Sequence, residues 1–505
     1  MKNIFKLLFS RLPFIIIMIL IQLVWVFILF SRLTYLASWI GTAFSIFSFF
    51  MFLEVIYSKE NPAYKIVWIV VIGMVPLIGG LMYWLWGNKR PAQRLIRILN
   101  IAEKQLSPVL DQNESILKKV PDRLNQTASY ISKIGGYPIH ENTEIKYYKV
   151  GEEMYSDLLE DLKSAEKFIF MEYFIIKRGQ MWDGIKEILI EKAGSGVDVR
   201  LIYDDMGCIG VFPSEENRIL REAGVKVTVF NKMRPVLSAI MNNRDHRKIT
   251  VIDGNIGYTG GLNLADEYIN INSPYGHWKD TAVRLYGDAV SNFTSMFLNL
   301  WDALNPGRSD IDDFRTNPDL NFKSDGFIQP FTDTPFDNEA ISSNVYLEII
   351  WQAKEYVYIF TPYLVIDFEM TSALCMAAKR GVDVRIVVPG IPDKKTVYEL
   401  TQSYFEELME AGVKIYLYSP GFIHAKSYIS DDVVAIVGTI NMDYRSLYLH
   451  MECGTLIINS SVIEKIKEDY LEVFEVSKQL GYDDLSHGRI MKTYRGILRF
   501  LSPLF

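Results

Sequence analysis

A chain of 505 residues exceeds what one core usually organises, about 250 to 300 residues, so more than one folding unit is expected. Its net charge of -7 supplies no global basic field and argues against nucleic acid as a partner. Cys208, Cys375 and Cys453 lie too far apart in sequence for a disulfide framework or a zinc knuckle, and read as reduced structural thiols.

In chain order, the first element is a membrane region, residues 1–90. Three uncharged stretches, 12–31, 33–53 and 66–88, are each long enough for a bilayer-spanning helix. A cleavable signal is disfavoured, because the first stretch exceeds the usual apolar core and two more follow. Lys2, Lys6 and Arg11 hold the N-terminus inside, whereas Lys89, Arg90, Arg94 and Arg97 ask the same of the far end. Three full spans cannot satisfy both: either one stretch is re-entrant, with Pro76, Gly79 and Gly80 marking the third as the candidate for a break, or the charges before the soluble region dominate and the N-terminus lies outside. The balance favours a multi-pass protein of the cell membrane with a cytoplasmic catalytic region. Residues 91–140 read as a polar connector, with Pro108 and Pro121 against any long helix.

Beyond 140, apolar β-rich runs such as 167–174 alternate with helical stretches such as 182–193, the pattern of an α/β fold with a mixed or parallel sheet. The pattern occurs twice. Gly196-Val-Asp-Val-Arg200 returns as Gly381-Val-Asp-Val-Arg385, and Glu222-Ala-Gly-Val-Lys226 as Glu410-Ala-Gly-Val-Lys414. Two homologous halves, 141–315 and 316–485, follow from this repeat. Trp182, Trp278 and Trp301 are expected in the core or in a site wall.

Each half carries an HxKxxxxD motif, at His246, Lys248 and Asp253 and at His424, Lys426 and Asp431. The intervals from Lys248 to Gly260 and Asn263 equal those from Lys426 to Gly438 and Asn441. Composition allows one chance match in roughly fifty such chains, so a single motif is weak evidence and two in register are strong. Histidine and lysine two apart on a strand share a face and would meet over one small anion, most simply a phosphate. Asn263 and Asn441 would add amide donors, and Gly260 and Gly438 would permit close backbone approach. Such a cage can act by positioning and charge alone, without a metal or cofactor. One histidine would attack as neutral imidazole while the other protonates the leaving alcohol. Asp280 and Glu452 are candidates to line the site and hold the imidazoles in one tautomer. Asp253 and Asp431 either join the catalytic group or brace the lysines and the backbone. His277 and His450 read as surface or satisfied histidines. The tail, 486–505, sets Arg489, Lys492, Arg495 and Arg499 among apolar residues, and either lies on an anionic membrane or docks on the soluble domain.

These motifs resemble the phospholipase D superfamily, and the whole arrangement resembles its bacterial cardiolipin synthase branch. The resemblance rests on Pro76–Gly87, Phe170–Phe174, Asn243–Lys248, His277–Asp280, Phe360–Tyr363 and Asn441–Ser446 as well as the motifs. It implies two α/β/α sandwich halves packed as a pseudo-two-fold pair behind transmembrane helices. It further implies a phosphatidyl-histidine intermediate, with two phosphatidylglycerol molecules giving cardiolipin and glycerol. Phospholipase D hydrolysis, or transfer from phosphatidylethanolamine, is the alternative. Analogy with two-motif relatives makes His246 the nucleophile and His424 the acid and base. Two departures stand out: the additional apolar stretch at 12–31, and Gly261 where the second motif has Thr439.

Overall fold

The computed structural model describes residues 38–87, 112–233, 242–305, 309–314, 324–337, 339–485 and 488–504, with single positions at 24, 28, 99, 110 and 307. Positions 24 and 28 apart, the stretch 12–31 lies outside the described residues, as do Lys2, Lys6, Arg11, Lys89, Arg90, Arg94 and Arg97.

The N-terminal region forms helices Ser38–Tyr57, Pro62–Met74 and Pro76–Met82. The stretch 66–88 is broken as its sequence suggests. Val75 leaves helical geometry at φ -131°, because Pro76 has no N–H and disfavours a helical residue before it. The two glycines do something else. A Cβ on Gly79 would stand 2.7 Å from Ile72 Cα, and one on Gly80 2.6 Å from Ser48 Cα, so both exist for close helix packing. Among the described residues no helix is long and apolar enough to cross a membrane, so the expected spans are not found there.

Strands β1 (Thr143–Tyr148), β2 (Phe168–Tyr173), β3 (Asp198–Asp204), β4 (Lys226–Phe230), β5 (Arg244–Asp245), β6 (Ile249–Ile252), β7 (Ile256–Gly260), β8 (His277–Lys279) and β9 (Ala282–Gly287) come from the first half. The second contributes β10 (Phe327–Asp333), β11 (Tyr356–Phe360), β12 (Leu364–Val365), β13 (Asp383–Pro389), β14 (Lys414–Tyr418), β15 (Gly421–Ile423), β16 (Ser427–Ser430), β17 (Val434–Gly438), β18 (Met442–Asp443), β19 (His450–Ile458) and β20 (Ser477–Gln479). The first sheet runs β1-β9-β7-β6-β2-β3-β4 and the second β10-β19-β17-β16-β11-β13-β14-β20, so the order of the first sheet returns in the second, with β20 added at its edge. The two GVDVR segments open the equivalent parallel strands β3 and β13.

The alternation of β2 decides its layers. Phe168 and Phe170 pack with helix Val290–Leu304 in the larger core, while Ile169, Met171 and Tyr173 pack with helices Gly151–Ser164 and Gln180–Gly194. Trp182 and Trp301 are core residues. The polar connector is in part a helix, Asp122–Gly135, which corrects the reading of 91–140. Pro121 caps it from outside, and Leu124, Ala128 and Ile131 form one apolar stripe packed on helix Ile341–Gln352 and β10. The three cysteines are free, Cys208 and Cys453 buried and Cys375 partly so.

Candidate active site

The two motifs meet where the halves exchange strands. β5 pairs with the start of β19, Asp245 opposite Met451, and β15 pairs with β8, Ile423 opposite Lys279. Residues 246–248 and 424–426 are the links between a strand paired with the other half and one paired at home. They are not themselves strand, which corrects the expectation, because the chain changes partners there. Reciprocal backbone bonds fix each link: His246 N–H donates to Met451 O at 2.9 Å, and His424 N–H to Lys279 O at 2.7 Å.

That register puts each histidine beside the carboxylate of the opposite half. His246 Nδ1 lies 2.8 Å from Glu452 Oε1, and His424 Nδ1 lies 2.6 Å from Asp280 Oδ2. With Nδ1 engaged, Nε2 is the atom each ring offers to a ligand. Glu452 also accepts from Ser446 Oγ at 2.6 Å and from Thr439 Oγ1, and Asp280 from Thr281 N–H at 2.9 Å. The Gly261 departure has its reason here. A Cβ at 261 would stand 2.0 Å from Asp280 Oδ1, because the shorter aspartate folds back over that position, whereas the longer Glu452 reaches Thr439.

Each lysine donates to the carbonyl of its own histidine, Lys248 Nζ to His246 O at 2.6 Å and Lys426 Nζ to His424 O. Burial, against the pull of Glu452, brings Lys248 down to about 8; burial, against Asp280, brings Lys426 down to about 7. Burial and then Lys426 lower His424 to about 4 despite Asp280, and burial and then Lys248 hold His246 well below its ordinary value. The carboxylates diverge. Burial pushes Glu452 well up against Lys248, whereas Asp280, although burial opposes it, is held down by His424 and Lys426.

Other expected residues stand further back. Asp253 receives the backbone N–H groups of Glu166, Lys167 and Phe168, all at 2.8 Å, and Asp431 those of Lys354, Glu355 and Tyr356 at 2.8–2.9 Å. They brace the starts of β2 and β11 from the far end of the motif and do not join the cage. Gly260 and Gly438 give close approach to a neighbouring strand rather than to a ligand; their Cβ atoms would meet Thr281 O at 2.4 Å and Cys453 O at 2.3 Å. Asn263 spends Oδ1 on Ile175 N–H and one Nδ2 proton on Tyr268 OH, which leaves one donor, while the buried Asn441 Oδ1 has no hydrogen-bond partner among the described residues.

Trp278 is a site wall, as the sequence allowed, 5.3 Å from the His424 ring; sequence reasoning missed two others, Phe174 at 5.0 Å from the His246 ring and Tyr268 at 5.4 Å from the His424 ring. It also misjudged His450, whose ring is 5.7 Å from that of His246 and whose two buried ring nitrogens have no hydrogen-bond partner among the described residues. Aligning Asp280 with Glu452 makes Trp278 and His450 equivalent, a signal available in the sequence. His277 is satisfied, 2.9 Å from Tyr418 OH.

The sequence matches the family model described as cardiolipin synthase, PLD-like domain, over residues 158–301 and 346–474. The chain belongs to that family. Residues 46–88 match the phospholipase D-nuclease N-terminal model. Similar proteins include the cardiolipin synthase of Alkalihalophilus pseudofirmus, 34% identical over 93% of this chain and 95% of that one. That of Geobacillus sp. is 35% identical over 90% and 92%, and an uncharacterized protein of Streptococcus mutans 40% identical over 90% and 99%. The phosphatidylserine synthase of Haemophilus influenzae shares the fold at a TM-score of 0.56 and 13% identity, covering 76% of this chain and 98% of that structure.

Proposed function

We propose that the protein is a cardiolipin synthase, transferring the phosphatidyl group of one phosphatidylglycerol to a hydroxyl of another, with release of glycerol. The observation that carries this reading is the reciprocal pair His246–Glu452 and His424–Asp280, which joins the two motifs into one cage within a cardiolipin synthase family chain.

The two lysines neutralise the non-bridging oxygens of the donor phosphate. One imidazole Nε2 attacks phosphorus, a P–N bond forms, and the P–O bond to glycerol breaks. The other imidazole gives that oxygen its proton. The acceptor hydroxyl then returns a proton to the second imidazole and displaces the first, closing the cycle with both histidines restored. Burial and then the lysine charges keep both histidines neutral; a bound phosphate offsets those charges and raises the proton affinity of the acid. His246, Lys248, His424 and Lys426 are the catalytic set in this reading, with Asn263 and Asn441 beside the phosphate and Asp280 and Glu452 as positioning residues.

We read the N-terminal helices as the membrane anchor. Phe49, Phe50, Ile66 and Met74 are more than half exposed there, a surface suited to lipid. The basic run Lys89, Arg90, Arg94 and Arg97 supports a cytoplasmic catalytic region. Purified protein in phosphatidylglycerol vesicles should form cardiolipin and glycerol in equal amounts. Phosphatidic acid as the sole lipid product would make the protein a hydrolase.

A further inference from the structure

The two halves repeat each other around the cage, but at one position the sign of the charge is reversed. Counting from Asn263 and Asn441, Glu267 in the first half stands where the second has Arg445. Glu267 is paired with Lys177 at 3.4 Å, next to Tyr268, whose ring faces that of His424. Arg445 has no such partner. Its guanidinium forms neither an ion pair nor a side-chain hydrogen bond with the described residues, although the residue is only partly exposed. Its helix, Tyr444–Tyr448, is fixed on both sides of it: Asp443 caps the helix by accepting Ser446 N–H at 2.8 Å, and Ser446 Oγ donates to Glu452, the partner of His246, at 2.6 Å. Half-burying a guanidinium without a carboxylate costs free energy, and burial does lower the proton affinity of Arg445 against the pull of Asp443. An anion from outside the chain would offset that cost.

Arg445 does not stand alone. Its charge and those of Lys248, Arg244 and Lys394 all act on His450, whose ring is 5.7 Å from that of His246. The carboxylates on this side are engaged: Asp204 lies 3.5 Å from Arg244, Asp393 accepts from Tyr363 OH at 2.7 Å, and Asp443 is the helix cap. Lys248 belongs to the cage and Arg244 is buried with Asp204. That leaves Arg445 and Lys394, whose side chain is 65% exposed and 4.0 Å from Asp393, as the cations open to an incoming group. The two sides of the cage are therefore unlike: basic beside His246, aromatic and charge-balanced beside His424.

Transfer between two phosphatidylglycerol molecules brings two phosphates together. The lysines of the cage supply charge for the donor phosphate, which sits between the histidines. The acceptor carries a second phosphodiester, separated from its attacking hydroxyl by the carbons of one glycerol, and that charge must be met outside the Lys248 and Lys426 pair. We propose that Arg445, assisted by Lys394, binds the phosphate of the acceptor phosphatidylglycerol and so selects an anionic lipid over a neutral alcohol. The proposal rests on the transferase reading above and names the acceptor side of the same site. With its phosphate on Arg445, the acceptor presents a glycerol hydroxyl to the phosphatidyl-histidine. Its oxygen bonds to phosphorus, the P–N bond breaks, and the hydroxyl proton passes to the other imidazole. The equivalent place beside His424 offers no such cation, because Glu267 and Lys177 neutralise each other there.

The test gives the full-length protein vesicles of phosphatidylglycerol mixed with monooleoylglycerol, a neutral lipid with glycerol hydroxyls but no phosphate. Mass spectrometry reads cardiolipin against phosphatidyl-monooleoylglycerol. Both products draw on one phosphatidyl-enzyme, so their ratio reports the acceptor step and not the donor step. Because the ratio is taken within one sample, a partly unfolded variant still reports it. R445Q should lower the ratio of cardiolipin to the neutral product about tenfold or more, and R445K, which keeps the charge but not the planar fork, should recover part of that loss. An unchanged ratio in R445Q overturns the proposal even where total turnover falls, since Arg445 would then serve the donor or the fold. A ratio as low in R445K as in R445Q overturns it as well, because the positive charge would not be what the acceptor meets. A native protein that forms phosphatidic acid and neither transfer product removes the transferase reading itself.

Discussion

Asp280 and Glu452 act on the histidine of the half to which they do not belong, and this crossing defines the site. Replacing Asp280 by Asn removes the anion from His424 and should lower kcat by about 100-fold or more while His246 keeps its partner. Initial rates with phosphatidylglycerol vesicles would measure it. The lysines predict opposite effects of pH on activity and stability. With Lys426 at about 7 and Lys248 at about 8, kcat/KM should fall as pH rises through 7 to 8, because the cage loses charge. Both folded values lie below the unfolded one, so over the interval above them the unfolded chain binds more protons and stability rises with pH. A pH series of rates and of denaturant midpoints would show the two trends diverging. Arg247, a spacer residue of the motif, is buried with Glu172 at 2.6 Å and Asp245 at 3.3 Å. R247M should cost about 3–5 kcal/mol, read from unfolding curves, because two carboxylates are left buried without their cation. Nothing in the motif spacing announces that cluster, since Glu172 comes from β2.

Among the elements, the C-terminal helix Arg489–Leu501 docks on the second half through three of its four basic residues. Lys492, Arg495 and Arg499 pair with Glu406, Glu399 and Glu407 of the second half, and Leu498 is buried. Ile490 and Ile497 are left 89% and 55% exposed, so the free face presents apolar residues beside the exposed Arg489. Replacing both by Ser should weaken binding to lipid vesicles with little dependence on salt, whereas a loss that scales with ionic strength would mean that the cations are free. The periodic placement of this helix was legible, but which face docks was not, because that depends on glutamates about ninety positions away. Helix Asp122–Gly135 teaches the converse. Its stripe at 124, 128 and 131 is present in the sequence, and Pro121 starts the helix rather than breaking it.

For the whole molecule, one chain supplies both motifs and both carboxylates, and buried links such as Lys279–Asp469 at 2.7 Å hold the halves together. H246A and H424A should therefore each abolish cardiolipin formation, and a mixture of the two proteins should stay inactive, since neither contains a complete cage. Restored activity on mixing would mean that the site is shared between chains. The sequence by itself determined the α/β repeat, the register of the two motifs and the four residues of the cage, because repeated segments and short intervals are local properties of the chain. Only the tertiary structure decided that Asp253 and Asp431 face away from the cage and that His450 faces into it. It alone paired His246 with Glu452 and His424 with Asp280. Those outcomes follow from β5 joining β19 and β15 joining β8, pairings between distant strands that are set by how the two halves pack.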